Sequence, residues 1–156
     1  MKNIKFLFIL SLIMTFSCEN DLIQENEVCC QPNLNDDTIY EIHNKWILIG
    51  LLNIDTQKED CVPDNLREMN IIFSDSNRFH GSSSCNTFGG YYEIYEPDSI
   101  KVEYLSTTLI YCFNDTLSDW EEKYYNGLEH SVKYTINRNI LTLKTISDFD
   151  LIFKVD

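Results

Sequence analysis

The sequence predicts an α+β fold that is mainly β: a compact antiparallel sheet wrapped as an open half-barrel, with one packing helix at about 116–130. Three observations lead there. From residue 40 onward, short apolar segments, several strictly alternating, recur between clusters of turn-forming residues, as expected of strands joined by tight turns. Aromatic residues make up 13% of the chain, which suits the half-buried, pleated surface of strands. One stretch, 116–131, instead carries its apolar residues at helical spacing.

The chain divides into residues 1–17, 18–39 and 40–156. Lys2 and Lys5 precede the apolar run FLFILSLIMTF (6–16), which is too short for a stable transmembrane helix and has the form of an export signal. Thr15, Phe16 and Ser17 then lead to Cys18. Small residues three and one positions before a cysteine resemble the lipobox of bacterial lipoproteins, although Thr-Phe-Ser departs from the usual Leu-Ala-Gly/Ser. An ordinary secretory signal followed by a chance cysteine is the alternative. Lipidation at Cys18 would contribute roughly 0.8 kcal/mol per buried CH₂, so two or more acyl chains anchor stably. Residues 19–39 are acidic and aperiodic. They read as a flexible tether with a reach of roughly 25 Å.

The expected elements follow in order. KWILIGLLNI (45–54) is a buried strand, and 55–68 is a long polar loop containing Cys61 and Pro63. MNIIFSD (69–75) is a strand, SDSN (74–77) a turn and RFHG (78–81) the returning strand. YYEIY (91–95) and IKVEYLS (100–106) flank the turn EPDS, with Ile100, Val102 and Tyr104 on one face. TTLIYC (107–112) is apolar and β-prone. In 116–131, Leu117, Trp120, Tyr124 and Leu128 form one stripe. Ser118 with Glu121 has capping-box spacing there. VKYTI (132–136) and ILTLK (140–144) form a hairpin across Asn-Arg-Asn, and DLIFKV (150–155) closes the sheet.

Net charge is −13, and removing Lys2 and Lys5 with residues 1–17 leaves −15. So acidic a body lacks the Lys/Arg clusters that hold phosphates, which argues against nucleic acid as a partner. Cationic partners and simple solubility both suit this charge. Lipidation of Cys18 leaves five of the six cysteines: Cys29, Cys30, Cys61, Cys85 and Cys112. The favoured arrangement pairs Cys85 with Cys112, and Cys61 with Cys29 or Cys30. Spacing does not fix connectivity, and reduced, buried thiols are the alternative. No C-x-x-C spacing occurs, so neither a redox motif nor a zinc ribbon is indicated.

Residues 81–92, GSSSCNTFGGYY, invite a catalytic reading and fail it. A nucleophile elbow needs glycine where Cys85 stands, and a P-loop needs a lysine that does not follow Gly89 or Gly90. His80 and Cys85 are about 17 Å apart along an extended strand. The structural reading gives Ser82, Ser83 and Ser84 a role in close approach. It assigns Asn86, Gly89 and Gly90 a sharp turn with positive φ, and points Phe88 and one of Tyr91 or Tyr92 inward.

The same stretch resembles the signature of the META domain, known from HslJ-like bacterial lipoproteins. Gly81, Cys85, Asn86, Phe88, Gly90 and Tyr91 carry that signature. Trp46 with Leu48, Thr107 through Cys112, the helix from Trp120 to Leu128 and the closing hairpin resemble the rest of the domain in order. The resemblance covers residues 40–156. It implies a compact β-sheet with one helix, an envelope address and no established catalytic residues.

The functional expectation is a non-enzymatic, lipid-anchored protein of the bacterial cell envelope, with the outer membrane as its address. Its META domain would have a binding or stress-protective role, with no cofactor, no metal and an unidentified envelope protein as partner. The alternatives are a protein-interaction module such as an inhibitor of an exported protease, working through 55–68, and a small-molecule or lipid-binding half-barrel lined by tyrosine and phenylalanine.

Overall fold

In the computed structural model, residues 38 and 40–156 are described. Cys18, Cys29 and Cys30, and with them the lipidation and tether expectations, lie outside these residues. The described elements are β1 (Lys45–Asn53), β2 (Glu59–Cys61), β3 (Asn70–Ser74), β4 (Arg78–Ser82), β5 (Thr87–Tyr95), β6 (Ser99–Thr107), α1 (Asp115–Glu129), β7 (Ser131–Asn137), β8 (Ile140–Thr145) and β9 (Phe149–Val155).

The fold is mainly β with one packing helix, and the expected wrapping goes to completion. β1 pairs with β9 from Trp46↔Val155 to Asn53↔Phe149, which closes an antiparallel ring of eight strands with β2 attached outside it on β1. Closure removes the exposed edges that an open sheet would present. The ring is thinnest between β6 and β7, where Ser99 opposite Lys133 is the one paired position. Tyr134 N–H donates to Asp98 O nearby at 2.8 Å. The helix joins these two strands in sequence and packs on β6, β8 and β9.

Alternation builds the interior. In β1, Trp46 and Leu48 point inward, and a bulge between Leu48 and Gly50 then brings Leu51 to the same side. Burying such side chains contributes roughly 1.5–3 kcal/mol each. A chain of aromatic contacts fills the ring along its length. Tyr92 meets Phe73 at 5.0 Å between ring centres, Phe73 meets Phe79 at 6.3 Å, and Phe79 meets Phe88 at 6.1 Å. Phe88 then meets Tyr124 at 5.4 Å and Tyr124 meets Phe153 at 6.0 Å. The rings that a half-barrel ligand site would use are therefore packed against one another.

Several expectations need correction. The 55–68 loop contains β2, which pairs through Gly50↔Cys61. Gly89 and Gly90 lie within β5, and no described glycine has positive φ. They are required for close approach: a Cβ on Gly90 would sit 2.6 Å from the Phe79 ring and 2.8 Å from Glu103 O. Tyr104 does not join Ile100 and Val102 inside. A register shift between Gly89 and Tyr91 and a φ of 55° at Tyr104 turn that side chain out, to 80% exposure, and Leu105 packs against the core instead. Residues 108–112 leave the ladder after Thr107. Finally, Asn114 caps the helix by accepting from Thr116 N–H at 2.8 Å, so the Ser118–Glu121 capping box does not form.

Candidate functional site

The signature stretch is a latch between strands, helix and the segment after β6. Register places the end of β4, the start of β5 and the end of β6 together, through Ser82↔Thr87 and Phe88↔Thr107. The loop 83–86 and the segment 108–114 therefore emerge side by side. Gly81 opens the motif because a Cβ there would fall 2.0 Å from Asn70 O. Ser84 Oγ donates to Leu117 O at 2.7 Å, fastening the loop to the first turn of α1. Cys85 is bonded to Cys112 with Cα atoms 5.9 Å apart, across 27 positions of sequence. Phe88 enters the core, its ring 5.4 Å from Tyr124 and 5.6 Å from Tyr125. Of the tyrosine pair, Tyr92 is buried and Tyr91 is exposed, with Arg78 5.4 Å from its ring centre.

Glu121 is the hub that sequence reasoning missed. One carboxylate oxygen accepts from the Ser83 hydroxyl, from Cys85 N–H at 3.3 Å and from Asn86 N–H at 3.0 Å. The other accepts from Asn86 Nδ2–H at 2.8 Å, with Cys112 Sγ 3.7 Å away. Ser83 has a single hydroxyl proton, directed to Glu121, so the Tyr125 O–H donates to Ser83 Oγ at 2.8 Å. Burial pushes the Glu121 carboxyl up, but the donors from Ser83, Asn86 and Cys85 together outweigh it and hold the group below its ordinary value. Burial, reinforced by the Glu121 charge, pushes the Tyr125 hydroxyl up to about 12. A Glu one residue after the buried Trp120, and four before Tyr125, was the available signal. Its acid character pointed to a cap instead.

Asn86 is buried and holds the other side of the latch. Its Oδ1 accepts from Ile110 N–H at 2.7 Å and from Thr108 Oγ1–H at 2.8 Å, and its Nδ2 also donates to Ile110 O at 3.1 Å. Thr108 N–H still donates to Thr87 O of β5 at 3.0 Å, but at Ile110 both backbone groups are satisfied by a side chain in place of a neighbouring strand. The side chains point outward: Leu109 is 96% exposed, Ile110 63%, Tyr111 76% and Phe113 93%. Between this strap and α1 lies a groove of about 670 Å³, with Leu109, Ile110 and Tyr111 on one bank and Glu122, Asn126 and Glu129 on the other.

Cys85 Sγ, Cys112 Sγ and a Glu121 oxygen lie within 4.8 Å of one another, a donor set of the type that binds soft metals. Their sulfurs are bonded together, so neither offers the thiolate that a metal or a nucleophilic reaction needs. His80 is exposed on β4, opposite Gly89. Cys61 is disulfide-bonded, and its expected partners, Cys29 and Cys30, lie outside the described residues.

The family model for the META domain matches residues 41–156, which spans the ring, the helix and the latch. The chain belongs to the META domain family. Solved structures share this META fold at low sequence identity. A protein from Burkholderia xenovorans, solved by NMR, is 18% identical with a TM-score of 0.61; the match covers 81% of this chain and 99% of that one. A DUF4847 family protein from Bacteroides vulgatus is 14% identical with a TM-score of 0.57, covering 74% and 94%. A third, also an NMR structure, is 20% identical with a TM-score of 0.55, covering 75% and 96%. At these identities the likeness concerns the fold alone. No curated protein matches the chain.

Proposed function

We propose that this META domain protein is a lipid-anchored, non-enzymatic binding protein of the bacterial cell envelope. The observation that carries the binding role is the strap 108–113, whose backbone is captured by Asn86 and the Cys85–Cys112 bond while its four large apolar side chains face solvent. Soluble surfaces rarely hold such a cluster without a partner to cover it. The latch residues all have structural partners: Ser83, Asn86 and Cys85 hold Glu121, and Cys85 is bonded to Cys112. This set reads as architecture and supplies no acid, base or nucleophile free to act.

Anchoring is supported by the basic, apolar start of the chain and by Cys18 after Thr15-Phe16-Ser17. Among the described residues no helix is long and apolar enough to cross a membrane. The test is the intact mass of protein extracted from membranes of the native host, with and without reductant and a thiol label. The expected mass shows cleavage before Cys18, added acyl chains and one labelled thiol. An unlipidated mass from the soluble fraction overturns the anchor.

A further inference from the structure

The groove beside the strap has two unlike banks, and the pairing specifies what fits. One bank is apolar, from Leu109, Ile110 and Tyr111. The other is a face of α1 bearing Glu122, Asn126 and Glu129. Glu121 is engaged in the latch at the floor, but Glu122 and Glu129 are exposed, and neither makes an ion pair among the described residues. No lysine, arginine or histidine lines the groove. The two free carboxylates stand seven residues apart on one helix face, which is about 10 Å.

Resting on the binding role argued above, we infer that this groove takes a cationic amphipathic segment of another protein. Its apolar side chains would lie against Leu109, Ile110 and Tyr111, and two Lys or Arg side chains about 10 Å apart would meet Glu122 and Glu129. That spacing corresponds to positions i and i+7 on one face of a helix. Charge complementarity favours this occupant over an anionic membrane, whose surface would repel the acidic bank of Glu122 and Glu129. The body's charge of −15 would also draw a cationic partner in and speed encounter at low salt.

The test uses the mature protein and a labelled amphipathic helical peptide of leucine and lysine with lysines at i and i+7, titrated by fluorescence anisotropy. A counterpart with glutamate for lysine and phosphatidylcholine vesicles serve as competing probes. The expected result is saturable binding of the lysine peptide that weakens with salt, with the glutamate peptide at least tenfold weaker. Glu122→Gln with Glu129→Gln should weaken binding about three- to tenfold, as exposed pairs do. Leu109→Ser with Tyr111→Ser should weaken it more than tenfold. Neither pair of changes should lower the melting temperature, since all four side chains are solvent-exposed. Equal affinity for both peptides, or unchanged affinity in the variants, overturns the inference. So does binding of vesicles in preference to peptide, or self-association that the strap variant abolishes, which would make a second copy the occupant. Lipidation is read separately by mass. An anchored protein that ignores the peptide refutes the groove alone, and an unanchored protein that binds it refutes the anchor alone.

Discussion

Two apolar runs in this chain meet opposite fates. Residues 46–52, WILIGLL, bury Trp46, Leu48 and Leu51 completely or nearly so, whereas Leu109, Ile110, Tyr111 and Phe113 are left in water. Hydropathy alone does not separate them. What differs is the partner for the backbone. β1 pairs on one side with β3 and β2 and on the other with β9, so its alternation is read out as inside and outside. Past Thr108, whose N–H is the last to reach β5, the Ile110 backbone is taken by the Asn86 side chain, and the next anchor is Cys112. A strand's apolar face is buried by the sheet that carries it; a strap held by one side chain and one disulfide keeps its apolar groups outside.

The widest gap between the regions should appear on truncation. Trp46→Ala is expected to cost about 3–5 kcal/mol, while Leu109→Ala should stay within about 0.5 kcal/mol of wild type. Thermal and urea melts of the two variants decide this, and comparable losses would break the comparison. Next comes the staple. Removing the Cys85–Cys112 bond with the double serine variant opens a span of 27 positions and should cost about 3–4 kcal/mol in the chain-entropy model. Wild type in reductant should melt correspondingly lower, and identical melting temperatures with and without reductant would contradict a stabilising bond.

Asn86→Ala sharpens the account of the latch. It removes the Nδ2 donor shared by Glu121 and Ile110 O, and the Oδ1 acceptor of the Ile110 N–H and the Thr108 hydroxyl. The change should cost about 2–3 kcal/mol, since a buried polar group left short of a partner is expensive. Glu121 adds a pH signature. Its carboxyl is held below its ordinary value, so its contribution is present above the unfolded value of 4.5 and is lost as pH falls through the lower folded value. Wild type should therefore lose stability more steeply below pH 4.5 than Glu121→Gln does, in matched acid titrations of the melting temperature. The smallest effect has the opposite sign. The Tyr124 hydroxyl is buried with no hydrogen-bond partner among the described residues, so Tyr124→Phe should raise stability by up to about 1 kcal/mol.

Much of the fold was legible because alternation and turn chemistry agree. Trp46 and Leu48, the turn at 74–77 with Asn77 at a φ of 58°, and the helix stripe Trp120, Tyr124 and Leu128 all lie where period and composition place them. The failures share a cause: a local rule was overridden by a neighbour distant in sequence. Tyr104 has the right spacing to face inward, but the bulge opposite Gly89–Tyr91 turns it out. Gly90 has the right chemistry for a turn, but the Phe79 ring and Glu103 O occupy the space a Cβ would need. Ser118 and Glu121 have capping-box spacing, but the donors from 83–86 claim the carboxylate 35 to 38 positions away. Of the candidate site, the small residues and cysteine of the signature were visible. The exposure of 109–113 was not, because it depends on Asn86 reaching across 24 positions to Ile110.

Hydrogen exchange at the Ile110 amide reports whether the latch holds the strap. Its side chain is 63% exposed, yet its N–H donates to Asn86 Oδ1 at 2.7 Å. If the latch holds the strap, this amide exchanges slowly in wild type, close to the rates of neighbouring β6 amides, and becomes fast in Asn86→Ala while the amides of β1 and β9 stay protected. Fast exchange at Ile110 in wild type would mean that the strap is loose, and that its apolar side chains are not presented as a fixed surface.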